Sequence, residues 1–430
     1  MPMNNQDFSE EEIVNVSPAG PSVNPTTTQH ALEKYTPRPP RERKGKALCL
    51  SGGGFRAALF HLGALRRLNE LGILSQIDRI SSVSGGSIIS AHLSERVRPW
   101  PTPGAVFQFW EEGVSKPFRH FCSENIRNAP LVAGYLKPWK WFSKTVMGEM
   151  LAKEYEMVTK RLLVELPDRP KFTFCATDLT FGVNWIFQKN VVGDYQAGYV
   201  ATPPTWKVAH AVAASSCFPP IFKPIPIGLD AEEFKQKGNG LAKTREDYED
   251  CIKGIRLTDG GNYDNMGLEP VWMTSAYVLV SDGGAVFDFE PDKNALWRLN
   301  RYTQILGNQA GALRKRWLMS NFYAQIMNGT YWGIGSVARN YEESEAQGYD
   351  ESLIETRIAS IRTDVDSFSE AEAKVLENHG YLTTNVAVHR HVPELIKVDA
   401  PIQIPHPEWM DPQRVTEALA ESSKRYVFGH

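Results

Sequence analysis

The chain has 430 residues, with 47 lysines and arginines against 50 aspartates and glutamates, and a formal net charge of −3. This even balance argues against a nucleic-acid partner, because nucleic-acid binding needs a basic surface. The five cysteines are widely spaced and form no C-x-x-C pair, so neither a disulfide framework nor a cysteine zinc site is predicted. No apolar run reaches the roughly 18 residues that span a bilayer, so we expect any membrane contact to be peripheral.

The first half of the chain predicts an α/β domain. Residues 1–44 are rich in proline and lack an apolar period, which predicts a flexible arm. Order begins with a buried strand at Ala47 to Leu50, followed by a glycine loop and a helix from Phe55 to Leu71 that Gly72 ends. A second strand at 78–83 leads into a second helix. This strand–helix alternation predicts a mainly parallel central sheet flanked by helices, in three α/β/α layers.

We assign residues 45–285 to this domain, with a helical, aromatic-rich insertion or lid at 99–170. Its later elements are predicted from short apolar runs and a small, helix-prone segment: strands at 172–177, 184–192, 254–258 and 278–282, and a helix at 208–216. Residues 286–430 predict a mostly helical C-terminal region that packs on the core. In that region Ser367 and Glu370 are spaced as a capping box for a helix over about 368–378.

The first candidate for chemistry is Ser82-Val83-Ser84-Gly85-Gly86, at a strand-to-helix turn. A nucleophile elbow places a serine on a strained turn with a very small residue two positions away on each side. Gly86 meets this requirement, and Ser82 stands where glycine is usual, so Ser84 is the candidate nucleophile with Ser82, Gly85 and Gly86 supporting the turn. A glycine-rich N-cap, in which a serine bonds backbone amides, is the alternative.

The second candidate is Gly52-Gly53-Gly54-Phe55-Arg56, between a strand and a helix. Consecutive glycines at a helix N-terminus expose backbone N–H groups, which suits an oxyanion or a phosphate. The pattern is neither a Walker loop nor G-x-G-x-x-G, because no Gly-Lys-Ser/Thr follows and Ala57 replaces a glycine. Arg56 is a candidate contact for a substrate phosphate, with a salt bridge on the helix as the alternative.

The third candidate is Asp259-Gly260-Gly261, at the end of a predicted strand. Ligand sites of open parallel sheets lie at the carboxyl ends of the strands, so Asp259 is expected to reach a serine on a neighbouring strand. An ordinary Asp-Gly turn is the alternative.

Together these patches resemble the patatin-like phospholipase family, and the glycine loop also resembles that of the cytosolic phospholipases. Ser51 to Ala57 resembles the family's oxyanion loop, Ser82 to Gly86 its G-x-S-x-G elbow, and Asp259 to Gly261 its D-G-[GA] motif. Ala213 to Pro219 is similar to its Ala-Ser-Ser-x-x-Pro segment. The resemblance covers roughly residues 46–285 in the family's order, and Ser82 is the departure from its pattern.

The resemblance implies a lipid acyl hydrolase with a Ser84–Asp259 dyad, an oxyanion loop at Gly52, Gly53 and Gly54, membrane phospholipid as substrate, and neither cofactor nor metal. It further implies a cytoplasmic protein, peripheral at the inner membrane face. Some bacterial members are membrane-damaging effectors held inactive until a nucleotide signal arrives. The resemblance therefore leaves three points open: a regulated role of this kind, as in antiviral defence, activation by a small nucleotide, and assembly into an oligomer.

Two other readings of the same residues also stay open. An α/β-hydrolase would use a Ser–Asp–His triad, with candidate histidines His379, His389 and His391, which we expect on the surface of C-terminal helices. A non-catalytic module would use the glycine loop to bind a phosphate or nucleotide. For membrane contact, the interleaved aromatics and lysines of 135–142 are the candidate, with core packing as the alternative.

Overall fold

The computed structural model describes residues 42–128, 130, 146–219, 222–234, 246–287, 291–342 and 346–424. One ten-stranded sheet runs through it, in the order β10-β9-β1-β2-β3-β4-β5-β6, with β7 and β8 off this path. The strands are β1 Lys46–Leu50, β2 Arg79–Val83, β3 Lys171–Asp178, β4 Val183–Phe187, β5 Val191–Asp194, β6 Gly198–Ala201, β7 Ile225–Pro226, β8 Arg256–Asp259, β9 Tyr277–Asp282 and β10 Asn328–Gly333.

The helices flank this sheet. They are α1 Gly54–Glu70, α2 Gly85–Arg96, α3 Lys116–Cys122, α4 Val146–Tyr155, α5 Val208–Ser215, α6 Tyr248–Gly254, α7 Gly261–Asp264, α8 Ala295–Tyr323, α9 Glu351–Leu353, α10 Glu370–His391 and α11 Pro412–Ala418. Strands β10, β9, β1, β2 and β3 are mutually parallel, whereas β4, β5, β6 and β8 pair antiparallel. The predicted α/β class with a mainly parallel sheet is therefore confirmed.

The central strands are buried on both faces, because alternate side chains point to opposite sides of a sheet. In β1, Leu48 and Leu50 join the large core that includes α1, whereas Ala47 and Cys49 join a smaller cluster with Leu318 of α8. This alternation explains why β1 appears in the sequence as a short, continuous apolar run. It also places α1 and α8 on opposite faces of the sheet.

Helix α1 is buried along almost its whole length, because α10, which also contacts β10 of the sheet, packs against it. The two helices cross at glycines. A Cβ on Gly63 would lie 1.8 Å from the carbonyl oxygen of Glu377, and one on Gly380 would lie 1.8 Å from that of Phe60. Any larger side chain at either position would push the helices apart.

Several expectations change at this level. The capping box belongs to Ser369 and Glu372 rather than to Ser367 and Glu370, and it starts a longer helix, α10. Strand β10 lies in the region predicted to be mostly helical and pairs in parallel with β9. The arm, apart from residues 42–44, and the segment 135–142 lie outside the described residues, so their predicted roles and the domain boundaries stay predictions. Among the described helices, none is both long enough and apolar enough to cross a bilayer.

Candidate active site

Strands β2 and β8 approach each other end to end along one edge of β3. Val83, the last residue of β2, pairs with Cys175, and Asp259, the last residue of β8, pairs with the next residue, Ala176. Both strands lie on the edge of β3 opposite β4, and they run in opposite directions. Their carboxyl ends therefore meet, which brings Ser84 beside Asp259. The expectation that Asp259 ends a strand was right, but this strand is antiparallel to β3.

The turn at Ser84 has the geometry of a nucleophile elbow. Ser84 has φ 49° and ψ −116°, an unusual conformation for a residue with a side chain. Two hydrogen bonds hold it there: the Ser84 N–H donates to Ser215 Oγ at 2.9 Å, and the Gly86 N–H donates to the Ser51 carbonyl at 3.0 Å. Ser82 is buried and bonds the Thr173 carbonyl through its hydroxyl, so a serine is accommodated where glycine is usual.

Asp259 is buried, and its Oδ1 accepts a hydrogen bond from the Gly261 N–H at 2.7 Å. Burial raises the pKa of Asp259 to about 6, because desolvation disfavours the carboxylate by more than the Gly261 amide and the neighbouring Ser84 side chain favour it. Ser84 is 8% exposed and Asp259 3%. The Ser84 side chain thus lies beside a carboxyl group whose pKa lies near neutral pH.

The glycine loop passes beside Ser84. Gly53 has φ 145° and Gly54 has φ 59°, conformations that residues with a Cβ rarely adopt. Within the described part of the chain, the N–H groups of Gly53, Gly54 and Gly85 donate to no acceptor. The N–H of Gly52, in contrast, donates to the carbonyl of Asn265 at 3.0 Å. The Gly52 amide, predicted as an oxyanion donor, is thus already bonded, whereas the amide of Gly85, the residue after the candidate nucleophile, is open.

The expected contact of Arg56 with a substrate phosphate is wrong. Its side chain is buried and donates to three backbone carbonyls, those of Gly283, Ala359 and Ile361. The guanidinium group therefore ties the start of α1 to two other segments instead of facing a ligand.

Sequence reasoning did not single out Ser215 or Asn265. Besides accepting from the Ser84 amide, the Ser215 hydroxyl donates to the Cys175 carbonyl at 2.6 Å, and the Ser215 carbonyl accepts from Gly260 N–H at 3.1 Å. Ser215 thus contacts the turns of both Ser84 and Asp259. The sequence signal that could have indicated this role is the segment of small residues that contains Ser215, Ala213 to Pro219. Asn265 follows the Asp-Gly-Gly turn and touches Gly52, donating to its carbonyl at 3.4 Å.

The histidines are committed elsewhere. His379 is buried, not exposed as expected, and its Nε2 bonds the Ile334 carbonyl at 2.8 Å. His389 bonds the Asn385 carbonyl within its own helix, and His391 lies exposed beside the Tyr341 ring. Burial lowers the pKa of His61 and of His379 to about 4, so both are neutral at neutral pH. His61, His379 and His389 therefore bond groups other than Ser84 and Asp259.

With this geometry in place, comparison with known proteins identifies the family. The model of the patatin-like phospholipase family matches residues 48–272. The chain belongs to the patatin-like phospholipase family, as its motifs predicted. Family membership supports a lipid hydrolase activity. No curated protein sequence matches the chain significantly.

Among solved structures, the chain is similar to human GIVD cytosolic phospholipase A2 in complex with methyl gamma-linolenyl fluorophosphonate and terbium chloride. The identity is 13% and the TM-score 0.47, over 84% of this chain and 60% of that one. A second structure of the human enzyme gives 15% identity and a TM-score of 0.35, over 60% of this chain and 48% of that one. VipD from Legionella pneumophila is 15% identical, with a TM-score of 0.31, over 81% of this chain and 67% of that one. The chain thus spans about half to three fifths of these human chains.

Proposed function

We propose that the chain is a lipid acyl hydrolase that releases fatty acids from membrane phospholipids through a Ser84–Asp259 dyad. The observation that carries this proposal is that the meeting ends of β2 and β8 place Ser84 beside Asp259, a buried carboxyl group with a pKa of about 6. The open amides of Gly53, Gly54 and Gly85 on the adjoining turns support it. Family membership supplies the lipid ester as the substrate class.

In the first half of the reaction, Ser84 Oγ attacks the ester carbonyl while Asp259 takes the hydroxyl proton. The carbonyl oxygen becomes an oxyanion and accepts hydrogen bonds from the open amides. Each such donor typically contributes about 100- to 1000-fold in rate. As the tetrahedral intermediate collapses, the ester C–O bond breaks, Asp259 returns its proton to the leaving alcohol, and Ser84 is left acylated.

In the second half, a water molecule attacks the acyl group on Ser84, and Asp259 takes the proton of the water. The bond between the acyl carbon and Ser84 Oγ then breaks, the serine recovers a proton from Asp259, and the fatty acid leaves. A single carboxyl group serves as base and acid in both halves, which requires a pKa near the working pH. An ordinary aspartate, with a pKa near 3.9, would be a weak base, and burial removes this difficulty.

The test is fatty-acid release from mixed phospholipid vesicles by the wild type and by the Ser84→Ala and Asp259→Asn variants. We expect Ser84→Ala to lower the rate by at least about a thousandfold, because the nucleophile is lost. Ser94→Ala is a matched control, because Ser94 is buried on α2 and its hydroxyl donates to the Ala91 carbonyl of that helix, away from the turns at Ser84 and Asp259. Release that persists in Ser84→Ala would contradict the proposal.

The triad alternative is tested in the same assay with His389→Ala and His391→Ala, whose side chains lie at the end of α10. The dyad predicts unchanged rates, and loss of release in either folded variant would favour a triad. Adding cyclic nucleotides to the wild type tests the further proposal of a regulated, membrane-degrading effector acting at the inner membrane face. A rate that no nucleotide changes would remove regulation from the proposal while leaving hydrolysis in place.

A further inference from the structure

Helix α8 extends well beyond the body of the molecule. It follows β9 and returns the chain to the start of β10, where Asn328 pairs with Tyr277, so it runs antiparallel to both strands. Near its middle, Lys315 lies 3.7 Å from Asp282, the last residue of β9. The 19 residues from Ala295 to Leu313 therefore project past the carboxyl edge of the sheet by roughly 27 Å, at 1.5 Å per residue.

That edge is the one that carries the candidate active site. Strand β1 pairs in parallel with β9 and β2, with Leu50 opposite both Ser281 and Ser82. The glycine loop after β1 and Ser84 after β2 therefore emerge at the same edge as the end of β9. The projecting half of α8 thus begins beside the groups proposed to carry out hydrolysis.

The projecting half carries an exposed apolar stripe. All residues from 302 to 310 are exposed, so no described element covers any side of the helix there. Tyr302 is 60% exposed, Ile305 40%, Leu306 71% and Leu313 61%. At 100° per residue these four side chains fall within an arc of about 100°, which is the width of one helix face. Gln304 lies opposite this arc, Asn308 lies outside it on the Ile305 side, and the polar Gln309 lies within it.

The charges of α8 are all of one sign. The helix contains five basic residues and no acidic one: Arg298, Arg301, Arg314, Lys315 and Arg316. Arg298 pairs with Asp292, and Arg314 and Lys315 pair with acidic groups of the body. Arg316 is exposed, and Arg301 stacks on Phe287 near the projecting end. Two such helices would repel each other, which disfavours a second copy as the occupant. An apolar stripe with cationic flanks is suited to the surface of an anionic bilayer.

We propose that the projecting half of α8 binds anionic lipid bilayers and inserts Tyr302, Ile305, Leu306 and Leu313 at the level of the headgroups. The inference deepens the proposed function and rests on it, because it assigns the helix that brings the active-site edge to its substrate. It also specifies the substrate surface, a membrane rich in anionic phospholipid.

The test is flotation of the full chain, in a Ser84→Ala background, with vesicles of phosphatidylglycerol and phosphatidylcholine and with vesicles of phosphatidylcholine alone. We expect binding to the anionic vesicles only, weakened by salt. Leu306→Glu with Leu313→Glu should weaken that binding about tenfold or more, since two apolar side chains are lost. Gln304→Glu with Asn308→Glu adds the same charge outside the arc of the stripe and should weaken this binding less. Circular dichroism checks that both variants fold.

Equal loss in the two double variants, or no binding to anionic vesicles, would overturn the proposal. So would a dimer, detected by light scattering, that dissociates in Leu306→Glu with Leu313→Glu while vesicle binding persists, because the stripe would then be a contact between copies. Binding is measured without hydrolysis, so this result is independent of the proposed reaction. Hydrolysis of a water-soluble ester by the wild type tests that reaction separately.

Discussion

At the scale of single residues, burial explains how one carboxyl group can replace a histidine. The Gly261 amide, which donates to Asp259, and the neighbouring Ser84 side chain both favour the carboxylate, yet the pKa of Asp259 is still raised to about 6. Desolvation is therefore the larger effect. The pKa lies near that of an unperturbed histidine, about 6.5, so the proton affinity suits a general base at neutral pH.

This pKa predicts the pH dependence of hydrolysis. A general base must be deprotonated, so kcat/KM for a soluble ester should fall about tenfold per pH unit below about pH 6 and level off above it. The Asp259→Asn variant should lack this ionisation and be slower by about 100-fold or more, because asparagine takes up no proton in this range. Initial rates between about pH 5 and pH 8 give both profiles. A wild-type profile that stays flat down to pH 5, with the fold intact, would contradict the assigned role.

At the scale of secondary-structure elements, the end of α5 supports the catalytic turns. Ser215 receives the Ser84 amide, and its own carbonyl receives the Gly260 amide, so a single residue fixes the turn after β2 and the turn after β8. The Cys217 carbonyl, two residues on, accepts from the Asp259 N–H and from the Thr258 hydroxyl. The small-residue segment is thus a clamp between the two strand ends.

We therefore predict that Ser215→Ala lowers kcat for ester hydrolysis by about tenfold or more while KM changes little. The Ser84 amide would lose its acceptor, and small displacements of a nucleophile are costly in rate. Ser216→Ala is the matched control, because Ser216 is also buried but bonds Tyr155 and the Val212 carbonyl. Steady-state kinetics of both variants decide the point. Equal effects of the two would mean that Ser215 only stabilises the fold.

Sequence patterns revealed the elements of the site but not their directions or hydrogen bonds. The runs before Ser84 and Asp259 predicted strands correctly, yet an apolar run is the same for a parallel and an antiparallel strand, so the end-to-end meeting of β2 and β8 could not be foreseen. Strand β10, Asn-Gly-Thr-Tyr-Trp-Gly, has little of the apolar alternation that reveals a strand.

The missed contacts have a similar cause. Both Ser367 and Ser369 have a glutamate three residues later, so the start of α10 depends on packing that a pattern does not contain. The roles of Gly52 and Arg56 depend on carbonyls of residues more than 200 positions away. Such long-range partners have no local signature.

At the scale of the whole molecule, the chain beyond the family match completes the active-site edge. The carbonyls of Ala359 and Ile361 accept from Arg56, and that of Asp364 accepts from the Phe55 N–H at 2.8 Å, directly after the glycine loop. The family model ends at residue 272, so the C-terminal region holds a loop that lies inside the matched part. The shape of that loop therefore depends on how this region packs.

Packing of the C-terminal region depends in turn on a buried carboxylate on α10. Glu377 is fully buried and is bonded by Ser115 at 2.8 Å, by Arg119 at 2.5 Å and by His406 at 2.9 Å, with Arg66 of α1 at 3.7 Å. Desolvation alone would raise its pKa, but the hydrogen bonds and the surrounding positive charge outweigh it and lower the pKa to about 2. The carboxylate therefore links α10 to α1, α3 and the C-terminal segment.

We predict that Glu377→Gln lowers the free energy of unfolding by about 3 kcal/mol at neutral pH, because removal of one partner leaves buried cationic groups uncompensated. Arg66 and Arg119 both retain Glu111, which keeps the loss at the lower end of the usual range. A group with a lowered pKa stabilises the fold above its ordinary pKa of about 4.5 and loses this effect as pH falls towards 2. The difference in the free energy of unfolding between the wild type and the variant should thus narrow below about pH 4.5. Urea unfolding at several pH values measures this difference. A difference in the free energy of unfolding that stays constant with pH would show that the substitution acts through packing and not through the loss of a charge.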